Sequence, residues 1–507
     1  MSDKFKSIVE LSSIAAAAQK NNQNVVLAHG VFDVLHIGHK RHFDAGRRAG
    51  DVLMVTVTCD KYVNKGPGHP VFSENLRAEM LAALDSVDYV SISEFPSAES
   101  IIEVIRPDIY LKGSEYSAEE NDVTGRISVE RAQVEAHGGY VLYTEEATFS
   151  SSNIVNKTMD IYPEEAGNFL RDLRTQVSAE EVCHEITRPK GLRCLIIGDT
   201  IMDEYIYVEP LGKPSKENII STRYKHSELF CGGVLATAKM LGEFSPTLDL
   251  VTSLGAVDSY EKTIRDDLPI SIKFIPFFRD TGCTTRKTRL VDPGYYTKLF
   301  EIAYLDDKPT AKKSQAELNG WVLDNIDRYD AVFVNDFGHG MVDQALIDIL
   351  CQRARFLALN VQTNSANRGF NLITKYPRAD LICIDEPEAR LAAMDRFSPI
   401  NVVVQDKLFN LVDCKTFVVT HGKYGCIVAT KGEEIKSIPA LTKHVVDSIG
   451  AGDAFFAAAA PMVAAGCNAF IAAFVGNAVG AMKVSIIGHS KSTTLAEVLK
   501  YIQSLLK

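Results

Sequence analysis

Short apolar runs alternate with amphipathic segments along this chain, and the alternation starts twice. Two β-branched runs, VVLAHG at 25–30 and CLIIGD at 194–199, are bounded by polar residues and followed by a glycine-bearing turn. Runs of this kind are typical of buried parallel strands. Helix-period segments lie between such runs, for example FSENLRAEMLAAL at 72–84. The alternation predicts an α/β fold built from two doubly wound, Rossmann-like sheets.

A charged segment without strand-like runs separates the two alternating regions. Residues 163–188 are amphipathic and rich in acidic and basic side chains, and Pro189 follows them directly. The length of 507 residues also exceeds that of one ordinary domain. We therefore predict a first domain over 1–160, a helical linker over 161–190 and a larger second domain over 191–507.

Composition excludes several classes of protein. Hydrophobic residues make up 46% of the chain, charged residues 23%, and the net charge is −11. This composition is typical of a folded globular protein, and an acidic chain lacks the basic face that nucleic acid requires. Ten cysteines without a C-x-x-C pair argue against a zinc ribbon or a disulfide framework. The N-terminus resembles no signal peptide, so we predict a cytoplasmic protein with reduced thiols.

One uncharged stretch is long enough to span a bilayer. It runs from Ala454 to Met482, is interrupted by Pro461 and Gly466, and consists largely of alanine and glycine. Because of these interruptions, we expect two helices packed inside an α/β core and no membrane association.

A candidate phosphate cradle follows the first strand. The string GVFDVLHIGH at 30–39 leaves a strand and opens a helix, whose first N–H groups are unpaired and favour an anion. His36 and His39 are three residues apart and point along one face, so both can donate hydrogen bonds to a phosphate. Gly38 lets a triphosphate approach the backbone closely. A metal-binding pair or an ordinary surface pair is the alternative for two histidines at this spacing.

Over residues 24–160 this string resembles the cytidylyltransferase-like nucleotidyltransferases, which join a phosphorylated alcohol or sugar to a nucleotide. The resemblance is strongest to the adenylyltransferase half of bacterial bifunctional heptose kinase/adenylyltransferases, and it extends to segments at 65–84, 111–116 and 149–155. It implies catalytic roles for His36, His39 and Lys65. It also implies nucleotide or phosphate binding by Gly30, Phe32, Asp33, Gly38, Arg77, Lys112, Gly113, Ser151 and Ser152.

Three of these residues have simpler explanations. Arg77 lies at helical spacing in a segment whose exposed face would be solvated, and Ser151 and Ser152 precede an apolar run in the manner of a helix N-cap. The chemistry itself requires few groups, because a sugar phosphate oxygen is already ionised at neutral pH. Catalysis would then consist of positioning and charge neutralisation, with Mg²⁺ assisting.

A second candidate site lies before the uncharged stretch. The string DSIGAGD at 447–453 places Gly450 and Gly452 on either side of Ala451, so that successive N–H groups can form an anion-binding nest. The dipole of the following helix adds to this field. Asp453 stands at the same end, where its carboxylate can accept the proton of a hydroxyl that attacks a γ-phosphate.

Over residues 192–490 the chain resembles the ribokinase-like (PfkB) sugar kinases, which implies a ribokinase-like fold with Asp453 as the catalytic base. The resemblance implies that Thr420, Gly422 and Gly425 bind the nucleotide together with the nest, and that Glu388 acts indirectly on Mg²⁺. It implies a sugar site made by Asp203, Gly232, Gly233, Asn335 and Asp336. Asp385 replaces the usual asparagine of that family, and NVQTN at 360–364 stands where heptose kinases carry Asp-Pro-Lys. These departures leave the acceptor open.

The segment 283–300 is basic and contains aromatic residues. Lys287, Arg289 and Lys298 can hold a phosphate on the acceptor, or they are the solvated charges of a β-hairpin lid. The sequence does not decide between these two roles.

Two phosphate motifs on one chain predict a bifunctional transferase: an ATP-dependent kinase for a heptose-like sugar or sugar phosphate, and a nucleotidyltransferase that makes an NDP-sugar and pyrophosphate. The alternatives are a cytidylyltransferase for a polyol or other sugar phosphate fused to its kinase, and a chain in which one half is a non-catalytic nucleotide sensor. We expect Mg²⁺ as cofactor, ATP as substrate and CTP as a possible donor for the first domain. The expected partners are small molecules and further copies of the same chain, with no nucleic acid and no membrane.

Overall fold

The computed structural model describes residues 3–63, 65–114, 126–144, 162–294, 296–306 and 308–507. The chain divides into two units. The first comprises Met1–Leu170 and Leu499–Lys507, and the second comprises Arg171–Val498. Sequence patterns did not indicate that the last nine residues join the first unit.

Five parallel strands form the sheet of the first unit, in the order β3-β2-β1-β4-β5. The strands are β1 (Val25–Gly30), β2 (Val52–Thr58), β3 (Tyr89–Ser93), β4 (Ile109–Gly113) and β5 (Tyr140–Thr144). The helices of this region are α1 (Ile8–Lys20), α2 (Ile37–Ala49), α3 (Glu74–Ala82), α4 (Ala98–Ile105) and α5 (Arg126–Ala136). Strand β1 pairs with β2 on one side and with β4 on the other, so the strand order reverses there and ligands bind beyond its carboxyl end.

Both faces of this sheet are buried, which explains why its strands are continuously apolar. Val26 and Ala28 of β1 point into a cluster with Phe43 of α2, whereas Val25 and Leu27 point into a second cluster on the other face. The side chains of a strand alternate between faces, so a strand covered by helices on both sides needs apolar residues at every position.

A larger sheet forms the second unit and consists of twelve strands. Its main path runs β11-β10-β6-β12-β13-β14-β15-β16-β17, while β7 and β8 also pair with β6, and β9 pairs with β8. The strands are β6 (Arg193–Gly212), β7 (Ser221–Gly233), β8 (Thr247–Leu254), β9 (Ile272–Phe278), β10 (Thr285–Asp292), β11 (Thr297–Tyr304), β12 (Ala331–Asp336), β13 (Leu357–Val361), β14 (Arg378–Asp385), β15 (Asp413–Thr420), β16 (Cys426–Thr430) and β17 (Lys436–Ile438).

The helices of the linker region and of the second half of the chain complete the structure. They are α6 (Glu164–Leu173), α7 (Ala179–Thr187), α8 (Val234–Phe244), α9 (Glu261–Asp267), α10 (Lys312–Asn325), α11 (Gln344–Arg353), α12 (Glu386–Ala392), α13 (Ala451–Ala464), α14 (Ala469–Lys483) and α15 (Leu495–Leu506). Alternation of strands and helices in both units confirms the predicted α/β class with doubly wound sheets.

Strand β6 belongs to two layers. Its first residues pair in parallel with β8 and β12, and its later residues pair with β7 and β10. Strand β10 pairs with the later half of β6, and β10 and β11 form an antiparallel hairpin. A hairpin was one of the two explanations for the basic segment 283–300. This second layer, which we call the lid sheet, consists of β7, β10, β11 and the later half of β6.

The uncharged stretch forms two helices, α13 and α14, as predicted. Phe455, Phe456 and Phe474 on these helices are buried in the second unit. Among the described residues, none of the helices combines the length and the apolar character needed to cross a bilayer.

Candidate functional site

The two histidines of the first motif cap the helix that follows them. His36 is the N-cap of α2, and its Nδ1 accepts a hydrogen bond from the Gly38 N–H at 3.1 Å. Nδ1 of His39 in turn accepts from the His36 N–H at 3.4 Å. Because a neutral imidazole carries one proton, both rings are left with N–H at Nε2. Nε2 of His36 is buried and has no hydrogen-bond partner among the described residues. This N–H group is therefore a hydrogen-bond donor that a bound ligand can use.

The environment keeps these imidazoles neutral at pH 7. Burial and the nearby charge of Lys65 lower the pKa of His36. Burial, followed by the charges of His36 and Lys65, lowers the pKa of His39 to about 3. The structure thus brings the three predicted catalytic residues of this unit together, with two neutral donors beside one cation.

Two further predicted residues lie at the end of β1 and in the loop directly after it. Gly30 ends β1, and the ring of Phe32 packs edge-on against His39 at 5.6 Å and against Phe43 at 5.2 Å between ring centroids. The Phe32 ring therefore lies between His39 and Phe43 and helps to hold the His39 imidazole in position.

Lys112 and Gly113 close the neighbouring strand β4. The Lys112 ammonium forms a 2.6 Å ion pair with Glu130, and its charge lowers the pKa of His42 after the larger effect of burial. A ligand phosphate would compete with Glu130 for this lysine.

Asp33 lies in the loop after β1. Its carboxylate is 1% exposed and accepts hydrogen bonds from the N–H groups of Val71 and Phe72, and it lies 3.3 Å from Nδ1 of His69. These contacts tie the loop after β1 to the segment before α3. Asp33 thus stabilises the loop after β1, and its role in nucleotide binding stays a prediction.

Arg77 corrects an expectation about its exposure. Its side chain is fully buried and donates to the carbonyl oxygens of Val31, Thr58 and Phe72 and to Asp60. These bonds occupy the guanidinium in this structure. The solvated face does not describe this residue, because tertiary contacts bury it, and its role toward phosphate stays a prediction.

We expect Arg77→Met to destabilise the first unit by about 3–5 kcal/mol, since three buried carbonyls and one carboxylate lose their donor. Urea unfolding followed by fluorescence measures this, with the exposed Arg48→Met as the matched control. An Arg77→Met protein as stable as the control would contradict the structural role.

The predicted residues Ser151 and Ser152 lie outside the described residues, as does the end of the 111–116 segment.

Sequence reasoning missed a further histidine in this unit. His29 lies on β1, with Nδ1 at 2.9 Å from Thr56 Oγ1 and Nε2 at 3.4 Å from Thr58 Oγ1. Burial, and then the charge of Lys112, lowers the pKa of His29 to about 3. A single histidine inside an apolar strand carried no recognisable motif.

These histidines make the first unit acid-sensitive. Their pKa values in the folded state lie below the value of about 6.5 of an unfolded chain, so the unfolded state binds more protons between about pH 6.5 and 3. Stability is therefore complete above pH 6.5 and is lost as the pH falls. Each such histidine contributes up to about 1.4 kcal/mol per pH unit.

His29→Gln, which retains groups able to bond to both threonines, is expected to flatten this dependence. The free energy of unfolding in urea, measured at pH 7.5, 6.5 and 5.5, should fall less steeply for the variant than for the wild type. Parallel curves would show that the pKa of His29 is the same in the folded and unfolded states.

The second candidate site lies where several parallel strands end. Strands β6, β12, β13, β14 and β15 run in parallel, so their carboxyl ends share one edge, and α13 begins there. Gly450 caps α13 with φ of +75°, which favours glycine, and Ala451, Gly452 and Asp453 form the first turn. The predicted nest and the predicted base are thus at one helix N-terminus.

Three amides hold the candidate base Asp453. Its Oδ1 accepts hydrogen bonds from Asn335 (3.3 Å), Asn360 (2.9 Å) and Gln362 (2.6 Å). Burial raises the pKa of Asp453 to about 6, and the Asn360 and Gln362 amides oppose that rise. No donor from the described part of the chain lies within bonding distance of Oδ2. That oxygen is left to accept a proton.

The amides of Asn360 and Gln362 were not predicted to contact Asp453. They belong to the segment that departs from the heptose kinase pattern, which sequence reasoning assigned to the acceptor. Only the packing of β13 beside α13 shows that two of its side chains reach Asp453.

The predicted sugar residue Asp203 is strongly paired. Its Oδ1 forms an ion pair with Arg289 at 2.5 Å, and its Oδ2 lies 3.6 Å from His489 Nε2. A Cβ on Gly232 would lie 2.0 Å from Asp203 Oδ2, so this glycine makes room for the carboxylate. Gly233 follows as the N-cap of α8. Glycine is required here by the close approach of a side chain.

Asn335 and Asp336, both predicted to bind sugar, face different surroundings. Asn335 contacts Asp453, as described above. Asp336 is 1% exposed, and it accepts from the Tyr376 hydroxyl at 2.6 Å and pairs with Lys375 at 2.5 Å. Its carboxylate stabilises the end of β12, and its role toward a sugar stays a prediction.

The structure shows which partners surround the three cations proposed for phosphate in the basic segment 283–300. Arg289 pairs with Asp203, and Lys298 pairs with Asp447 at 2.6 Å, so two of the three cations proposed for phosphate are neutralised inside the protein. Lys287 forms no ion pair within 4 Å in the described ranges, and its charge lowers the pKa of Asp453. Of the three, Lys287 is the cation left for an incoming phosphate.

Glu388 stands at the start of α12 and is 8% exposed. Its carboxylate accepts from the N–H groups of Thr363 and Asp385, each at 2.9 Å. Burial and the neighbouring Asp385 raise the pKa of Glu388 to about 8. The described residues contain no group of three or more histidine, cysteine or acidic side chains placed to hold a metal ion. The indirect role of Glu388 toward Mg²⁺ stays a prediction.

The predicted nucleotide residues of the second unit lie at the end of β15. Thr420 is the last residue of this strand and pairs in register with Asp385 of β14. Gly422 begins a short turn, and Gly425 ends it before β16. The three residues therefore lie along the same sheet edge as the nest.

Comparison with known proteins assigns each unit separately. Residues 27–157 match the cytidylyltransferase-like family, and residues 306–495 match the pfkB family of carbohydrate kinases. The bifunctional protein HldE of Trichlorobacter lovleyi is 36% identical over 165 residues, which are 32% of this chain and 32% of that protein. HldE of Geobacter sulfurreducens is 34% identical over 168 residues, with the same two shares. Both match the N-terminal half, so this chain covers about a third of the length of these relatives.

Solved structures support the fold of the second unit. Phosphofructokinase-2 from Escherichia coli in complex with potassium superposes with a TM-score of 0.51 at 12% identity, over 62% of this chain and 100% of that chain. At this identity the likeness shows the fold alone, which is the predicted ribokinase-like one. The chain thus joins a cytidylyltransferase-like domain in its N-terminal half to a C-terminal pfkB family carbohydrate kinase domain.

Proposed function

We propose that the chain is a bifunctional enzyme of sugar-nucleotide biosynthesis. Its second unit phosphorylates a heptose-like sugar or sugar phosphate with ATP, and its first unit transfers a nucleotidyl group to a sugar 1-phosphate. The observation that carries the proposal is that each of two helix N-termini presents a polar atom without a hydrogen-bond partner in the described part of the chain. These atoms are Nε2 of His36, a donor, and Oδ2 of Asp453, an acceptor. The two family matches and the bifunctional relatives of the first unit support it.

In the kinase step, the acceptor hydroxyl lies against Oδ2 of Asp453, which takes its proton as the oxygen attacks the γ-phosphorus. The bond from the γ-phosphorus to the bridging oxygen breaks, and ADP leaves. The N–H group of Gly452, in the first turn of α13, faces the negative charge on the transferred group. The three amides on Oδ1 keep the carboxylate in one orientation, and Lys287 supplies a positive charge for the phosphates.

In the nucleotidyl transfer step, an oxygen of the sugar phosphate attacks the α-phosphorus of the nucleoside triphosphate. The bond from the α-phosphorus to the bridging oxygen breaks, and pyrophosphate leaves. The attacking oxygen is already ionised near neutral pH, so no general base is needed. His36 and His39 donate hydrogen bonds from Nε2 to the phosphate oxygens as charge builds there, and Lys65 adds a cation.

Mg²⁺ fits the kinase site as a companion of the nucleotide, because Glu388 offers a carboxylate near Asp453 and this ion is commonly bound by one or two carboxylates together with substrate phosphates. When bound, it would neutralise phosphate charge. Glu388 is the residue proposed to act on it through water, since both of its oxygens already accept backbone hydrogen bonds.

We also propose that the protein works in the cytoplasm. All ten cysteines are free, and nine of them are buried. Reduced thiols of this kind are typical of proteins in a reducing compartment.

Mass spectrometry of the products tests the proposed function. The purified protein is incubated with Mg²⁺, equal amounts of ATP, CTP and GTP, and a panel that includes heptose 7-phosphate and heptose 1-phosphate. We expect a heptose bisphosphate from the 7-phosphate and a nucleoside diphosphate heptose from the 1-phosphate. A CDP product from another acceptor, with the heptoses untouched, would replace heptose as the substrate. Absence of any transfer would favour a nucleotide sensor.

A further inference from the structure

A lysine that neither proposed step uses is buried beside the kinase nest. Lys483 is the last residue of α14 and is 7% exposed. Its Cε lies 3.4 Å from the position that a Cβ on Gly450 would occupy, so the side chain reaches the backbone of the nest. A lysine is rarely buried to this degree unless its charge has a use or a partner.

The Lys483 ammonium has no direct ion-pair partner in the described part of the chain. Two of the acidic groups around it are paired with other cations, Asp447 with Lys298 and Asp203 with Arg289. Burial lowers the pKa of Lys483, while the charges of Asp447, Asp453 and Asp203 raise it. The ammonium therefore adds a positive charge to the site that no side chain cancels at close range.

One backbone group fixes the position of this charge. Nζ of Lys483 donates to the carbonyl oxygen of Gly488 at 2.5 Å, and the N–H of Gly488 donates to Asp447 at 2.9 Å. Asp447 opens the nest string and also accepts from the Ile449 N–H at 3.0 Å. The loop that holds the ammonium is thus bonded to the same carboxylate that anchors the nest.

Lys483 also lines a small cavity shared with the candidate base. The cavity has a volume of about 30 Å³, and its wall includes Gly450, Asp453, Ala454, Lys483 and His489. This volume holds one water-sized group. Because Lys483 is buried, its charge acts through a lower dielectric than that of water and is felt more strongly by phosphate oxygens in the nest.

We propose that Lys483 is a resident cation of the kinase nest. Its charge stabilises the negative charge that develops on the γ-phosphoryl group during transfer, and it does so from behind the nest, without touching the nucleotide. Lys483 is accordingly a positioning and electrostatic residue. The proposal rests on the kinase activity proposed above.

Kinetics of two variants test this proposal in the full-length protein. Lys483→Met keeps the length and packing of the side chain and removes the charge, and we expect kcat of phosphoryl transfer to fall about 100-fold, with KM for ATP changed less than about 3-fold. Lys483→Arg keeps the charge and should recover at least about 10-fold of that loss. Lys431→Met, at an exposed lysine paired with Asp413, is the control and should behave as the wild type.

Chemical rescue separates a charge from a purely structural role. The Lys483→Met variant leaves space beside the cavity, so ammonium chloride should raise its kcat at least about 10-fold, whereas tetramethylammonium chloride at equal ionic strength should not. Thermal unfolding of each variant shows whether it is folded.

The outcomes distinguish this inference from the proposed function. A Lys483→Met enzyme with the kcat of the wild type overturns the role of Lys483 alone. A loss that neither arginine nor ammonium reverses also overturns it and leaves a structural lysine. A wild-type protein that phosphorylates no acceptor overturns both this inference and the proposed kinase.

Discussion

Replacing Asp453 by asparagine is expected to lower kcat of phosphoryl transfer by about 1,000-fold, because the group that accepts the hydroxyl proton is lost. The side-chain oxygen of asparagine can still accept from Asn360 and Gln362, so the shape of the site is retained. ATP affinity should change less than about 3-fold, since binding depends on the nest and the phosphate contacts. Steady-state kinetics and calorimetric titration with ATP measure the two quantities.

The same protein supplies the internal control. Nucleotidyl transfer by the first unit should be unchanged in Asp453→Asn, because the two activities use separate motifs. A variant that loses both activities would indicate unfolding, and one that retains its phosphoryl transfer rate would remove Asp453 as the base. Asp413→Asn, at a carboxylate 79% exposed, is the matched surface variant.

Replacing His36 by asparagine is expected to lower kcat of nucleotidyl transfer by about 100–1,000-fold. Asparagine is a good N-cap, and its Oδ1 can accept from the Gly38 N–H as Nδ1 of histidine does. The variant therefore keeps the start of α2 and removes the Nε2–H donor. Release of pyrophosphate under saturating substrates measures the effect.

Kinase activity is the control for His36→Asn, together with His184→Asn at a side chain 77% exposed. The expected pattern is reciprocal: Asp453→Asn spares nucleotidyl transfer, and His36→Asn spares phosphoryl transfer. A His36→Asn variant with full nucleotidyl transfer would show that His39 and Lys65 neutralise the phosphate without it.

The local parts of both sites were predictable from sequence. A glycine-rich string after an apolar strand places polar groups at a helix N-terminus, whatever the rest of the chain does. His36, His39, Gly450 and Asp453 therefore occupy the predicted positions in the structure. Their roles in catalysis stay predictions that the variants above test.

Long-range pairing was not predictable. Arg77 and Asp336 were assigned to ligands, and in the structure Arg77 bonds to backbone carbonyls 46 and 19 positions away, and Asp336 bonds to a tyrosine 40 positions away. A charged residue in a motif has the same letter whether it faces a ligand or a buried partner. Only the fold determines which of the two surrounds it.

Sequence by itself determined the α/β class of both units and the helix N-termini that carry the two motifs. These follow from periodicity and from residues within one turn of each other. Tertiary structure alone decided that three amides hold Asp453, that Lys483 lies behind the nest, and that the last nine residues join the first unit. The physical reason is that burial and pairing depend on which distant segments pack together, and a local sequence pattern does not show this.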